Sequence, residues 1–89
     1  MATTEEIDKA ISSMVGDMSE DGVSYSVKMD DSRYVIMRKN HSLGTTSAFA
    51  ISPALIERMI EDEDLRKEIF CKLLWFFYTS ELKLAGVPV

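Results

Sequence analysis

The 89-residue chain holds one cysteine, two prolines, four glycines and one histidine, and each scarcity removes a class of function. A lone thiol, Cys71, rules out an internal disulfide framework and leaves stability to packing; it also fits a reducing compartment. With a single histidine and a single cysteine far apart in sequence, the nucleophile–base pairing that acid–base or covalent catalysis needs has no visible source. Cys71 is expected to be a buried small hydrophobe inside an apolar helix, and His41 a solvated residue of a turn. The glycines at 16, 22, 44 and 86 are isolated, so no phosphate-cradling loop is present. The most apolar stretch, Ile69 to Tyr78, is interrupted by Lys72 and is about half the roughly 20 residues of a membrane span. Met1 to Glu6 offers neither a basic nor an apolar leader segment, so the expected location is cytoplasmic and Asn40-His41-Ser42, although a glycosylation triplet, reads as loop.

Basic residues are outnumbered, ten against fifteen acids, for a formal charge of -5. That balance argues against a duplex nucleic-acid binder, whose affinity comes from neutralising phosphates. The remaining composition is ordinary for a folded domain, and the length predicts a single domain spanning residues 1–89. Domains of this size bury a modest share of their surface and gain from a dense core or a partner chain.

Periodicity gives the organisation. Ile7, Ala10, Ile11, Met14, Val15 and Met18 recur at three and four, one face of a helix, with Thr3 and Glu6 placed as a reciprocal cap. From Val23 the period becomes two: Val23, Tyr25, Val27 and Met29 predict a half-buried strand, Asp30-Asp31-Ser32 a turn, and Tyr34 to Lys39 a central strand apolar on both faces. Asn40 to Gly44 is a second turn, and Thr45 to Ile51 a third strand with Phe49 and Ile51 inward. Ser52-Pro53 starts a helix whose stripe is Leu55, Ile56, Met59 and Ile60. Asp62 or Asp64 is expected to cap a separate last helix carrying Leu65, Ile69, Leu73, Phe76 and Phe77 on one side, ended by Gly86 and Pro88. The fold class is therefore α+β in the order α-β-β-β-α-α, a three-stranded antiparallel meander with helices packed mainly on one face.

Candidate chemistry is sparse. Glu61, Asp62, Glu63 and Asp64 concentrate four carboxylates, but neighbouring helical side chains fan out by about 100° and do not converge on one ion, so no metal and no cofactor is expected. Arg33, Arg38, Lys39 and His41 form at most a small anion-attracting patch on the hairpin. Residues 1–21 carry a net charge of -5 and residues 53–89 a net -2, whereas 22–52 are mildly basic. Glu5, Glu6 and Asp8, with the Glu61 to Asp64 run, are thus the candidate acidic surface for a basic protein partner. Phe70, Leu74, Trp75 and Tyr78 lie away from the inward stripe of the last helix and are the candidate self-association surface, expected to form a two-fold dimer.

Two functional readings follow. The first is a small acidic, non-enzymatic protein that occludes a basic site, such as a nucleic-acid-binding surface, on a larger protein; size and charge alone make it analogous to inhibitors of phages and other mobile elements. The second is an intracellular assembly or chaperone-like subunit acting through the aromatic-rich last helix.

Overall fold

Thr3 begins the first helix by capping it in both directions: its hydroxyl accepts from the amide of Glu6 at 3.2 Å, and the Glu6 carboxylate accepts from the amide of Thr3 at 3.3 Å. In this computed structural model, which describes residues 3–87, that helix is α1 (Thr4–Asp17). It is followed by strands β1 (Val23–Asp30), β2 (Arg33–Asn40) and β3 (Thr45–Ile51), then by helices α2 (Pro53–Glu61) and α3 (Glu63–Leu84). The order and class are those the periodicity predicts.

The strands form one antiparallel sheet with β2 in the centre. Asp31 and Ser32 join β1 to β2 as a two-residue turn with φ of 50° and 61°, left-handed at both positions, whose twist matches that of the flanking strands. Asn40 closes the second turn by accepting from the amides of Ser42 and Leu43, and Gly44 supplies a φ of 67°. One face of the sheet is covered by helices. Tyr34, Ile36 and Arg38 of β2 are buried there, with Thr45, Ser47 and Ile51 of β3. The other face is open: Ser24, Ser26, Lys28, Lys39, Thr46, Ala48 and Ala50 are exposed around half-buried Val35 and Met37.

Ser52 caps α2 by accepting from the amide of Leu55, with Pro53 at the first helical position. A single extended residue, Asp62, then ends α2 and caps α3, its carboxylate accepting from the amide of Leu65 at 3.1 Å. Helix α3 ends on Gly86 at φ 83°, where Gly86 and Val87 donate to the carbonyls of Lys83 and Leu82. Pro88 lies outside the described residues. The core joins Ile7, Ile11, Met14 and Met18 of α1 and its end to Ile36, Ile51, Ile56, Met59, Leu73 and Phe77, with Phe49 edge-on to Phe76 at 5.0 Å.

Three expectations are corrected. Cys71 is exposed: it sits two residues from fully buried Leu73, about 200° round the helix, and so points away from the sheet. Val27 and Met29 are 38% and 54% exposed, because the helical cover does not close over that end of edge strand β1 and leaves a small cleft bordered by Ile11, Ser12 and Tyr34. Ile60 is also on the surface, at the edge of the stripe that buries Ile56 and Met59.

Candidate functional site

Helix α3 is apolar on two opposite faces. Leu73 and Phe77 point into the sheet and are buried completely or nearly so. Opposite them, Cys71, Trp75, Tyr78 and Leu82 follow one another at spacings of four, three and four, the seam pattern of a helix that packs against another helix. Trp75, the only tryptophan, is 71% exposed, Tyr78 40% and Leu82 38%. Desolvating an indole is a large gain that the isolated chain leaves unrealised. Of the four residues expected to mediate association, Trp75 and Tyr78 therefore lie outward, whereas Phe70 and Leu74 are half-buried against the core.

Phe70 and Cys71 also form one wall of a groove of about 1060 Å³. Its opposite wall is α1, through Glu6, Lys9, Ala10, Ser13 and Asp17, and its floor is Ile11, Met14, Ile56, Met59 and Ile60. The floor is apolar and the rim charged, with Arg66 and Lys67 on the α3 side. Those two cations meet Glu63 only at 3.8 and 3.6 Å, with all three side chains more than half exposed, so water and salt compete freely for them. Cys71 belongs to both surfaces and makes the groove and the outer ridge of α3 continuous. Neither the groove nor its polarity was legible in the sequence, because it depends on how α1 and α3 are set beside each other.

The acidic candidates are scattered and partly engaged. Glu6 is held in the cap, Asp8 accepts from the Tyr34 hydroxyl at 2.7 Å, Asp62 caps α3 and Glu63 faces Arg66 and Lys67. Glu5, Glu61 and Asp64 are exposed and have no side-chain partner among the described residues. Among the described residues no group of three or more histidine, cysteine or acidic side chains could hold a metal ion. His41 stays exposed in the β2–β3 loop, its Nε2 2.7 Å from the Ser24 hydroxyl.

The basic hairpin patch does not exist as expected, because Arg38 is 1% exposed. Its guanidinium donates through Nε to Glu81, through Nη1 to the Tyr25 hydroxyl and through Nη2 to Glu20 at 3.0 Å. The Tyr25 and Tyr78 rings flank it at 5.6 and 5.1 Å. Burial alone would lower its proton affinity, but the hydrogen bonds it donates to Glu81 and Tyr25 outweigh that and hold it above the ordinary arginine value. Asn40 adds a bond to Glu81 at 3.3 Å, and Tyr78 one to Glu20 at 3.2 Å. The remaining cations, Arg33 and Lys39, lie six residues apart along β2, about 20 Å, and share no site. This cluster fixes the C-terminal half of α3 on the sheet and thereby aims Trp75 outward.

Comparison of the chain with protein-family models, with curated proteins and with solved structures gives no match. Among the described residues no helix is long and apolar enough to cross a membrane.

Proposed function

We propose that the chain is a non-enzymatic protein-interaction domain that works through its helical layer, the groove between α1 and α3 together with the Trp75 ridge. The observation that carries this reading is the 71% exposure of Trp75 on a seam directly opposite the core face of α3. Aromatic residues beside an apolar groove are the usual anchors of helix-in-groove recognition. A photo-crosslinking residue placed at Trp75, compared with one at Ser26 on the open sheet face, tests it in cells of the native source. Adducts formed at position 75 and not at 26 are the expected result; equal labelling, or none, refutes the reading.

A second reading, occlusion of a basic site on a partner protein, is favoured by the exposed carboxylates of Glu5, Glu61 and Asp64 and the charge of -5. It differs in its salt response, since a contact made by solvated charges weakens as ionic strength rises. Reversing those three charges tests it: unchanged partner binding at low salt removes it.

A further inference from the structure

We infer that the occupant of the groove is a second copy of this chain, seated so that the α3 ridge of each copy lies in the groove of the other. The inference rests on the reading of the helical layer as the working surface and adds the identity of its partner.

Three features fit. The ridge from Cys71 to Leu82 and the α1 wall from Glu6 to Asp17 each span eleven residue steps, about 16 Å of helix, so the ridge matches the longer wall of the groove in length. The groove lining also presents apolar surface, with half-buried Phe70 and exposed Ile60 available to an incoming indole. The rim supplies the third feature. The α1 wall carries Glu6 and Asp17 against one cation, Lys9, while the α3 wall carries Arg66 and Lys67.

A two-fold axis running along the helices sets the α3 wall of each copy, with Arg66 and Lys67, against the α1 wall of its mate, which carries a net charge of one acid, and the same pairing is made twice. A self-complementary patch of this kind is what an isologous interface requires. An unrelated helix would have to present both signs in the same order. The second copy does so by symmetry, and the resulting layer of six helices between two sheets removes Trp75 and the groove floor from water together.

Light scattering on the full chain tests this with a pair of charge-exchanged variants. Arg66→Glu with Lys67→Glu makes both walls acidic; Ser13→Lys with Asp17→Lys makes both basic and spares the Thr3–Glu6 cap. The wild-type chain is expected at twice 10.1 kDa at tens of micromolar. Each variant alone should sit at one chain mass, its association weakened by roughly tenfold or more, and an equimolar mixture should return to two. Circular dichroism confirms that each variant is folded, and restoration on mixing cannot come from a damaged fold.

A wild-type chain that stays at 10.1 kDa overturns the inference, as do variants that self-associate as well as the wild type. If the crosslinker at Trp75 then captures a different protein, the helical-layer reading survives without the second copy. If it captures nothing, both fall.

Discussion

Arg38 and Glu81, 43 residues apart, form an ion pair whose side chains are 1% and 6% exposed, joining the central strand to the last helix. Such a pair is costly to desolvate, and its net contribution is small beside the penalty for leaving one partner alone. Every donor direction of the guanidinium that faces the interior is met by Glu81, Glu20 or Tyr25, and Asn40 adds a donor to Glu81. The pair therefore specifies where α3 sits on the sheet more than it strengthens the contact.

Replacing one member separates the two effects. Arg38→Ala should destabilise the fold by about 3–5 kcal/mol, because Glu81 is left charged and buried, whereas Arg38→Met combined with Glu81→Leu should cost far less or nothing. Urea denaturation of the single and double variants measures the difference; equal losses in both would contradict this account.

All three tyrosines release their protons later than the ordinary value of 10.0, Tyr25 and Tyr78 chiefly through burial and Tyr34 chiefly through its hydrogen bond to Asp8. A folded value above the unfolded one means the folded state holds the proton more tightly, so this stabilisation is complete below pH 10 and fades as the pH climbs through the raised values. Denaturation midpoints should fall above pH 10, in step with tyrosinate absorbance, and Tyr34→Phe should flatten that fall. A midpoint indifferent to alkaline pH would show that the three hydroxyls are not held as described.

Thr45 and Ser47 face the helices from β3, buried, with hydroxyls that find no hydrogen-bond partner among the described residues. Removing such a hydroxyl while keeping the shape should be favourable, so Thr45→Val is expected to raise stability by about 1 kcal/mol. Thermal unfolding is a sufficient readout, and a loss of comparable size would mean that the hydroxyl is satisfied.

Trp75 and Phe77 are neighbours in sequence with opposite roles. Phe77→Ala should cost about 3–5 kcal/mol by opening a cavity against Leu73 and Tyr25. Trp75→Ala should change the stability of the monomer by less than about 0.5 kcal/mol. Denaturation at concentrations low enough to suppress association distinguishes them, and a large loss at Trp75 would place it in the core.

Much of this fold is local and was therefore readable. The Thr3–Glu6 cap, the change of period at Val23, the Ser52-Pro53 start and the stop at Asp62 each depend on residues within a few positions of one another. The contacts of Arg38 and Glu81 are long-range. Arg38 reads as a surface cation next to Lys39, yet it alternates in phase with Tyr34 and Ile36, and that phase was the available sign that it points inward. Glu81 likewise follows Phe77 by four residues and Leu73 by eight, on the buried side of α3, but nothing in the chain names its partner. The doubly apolar character of α3 was legible; which of its aromatic residues would be left outside was not, because that depends on where the sheet ends and α1 begins.

The joint at Asp62 governs which of those two faces wins. One residue separates α2 from α3, so the rotational phase of the long helix is set by a linker with no slack, and a two-residue insertion or deletion there would turn α3 by about 200° about its axis. A helix greasy on one side only would resist such a roll, since it would drag polar groups under the sheet. In α3 the outer seam of Cys71, Trp75, Tyr78 and Leu82 offers an alternative apolar footing, and what opposes the roll is Glu81, whose carboxylate must return to Arg38. Length at this one position is thus under tighter constraint than residue identity along most of the helix, and length variants at Asp62 would expose a register error that substitutions do not.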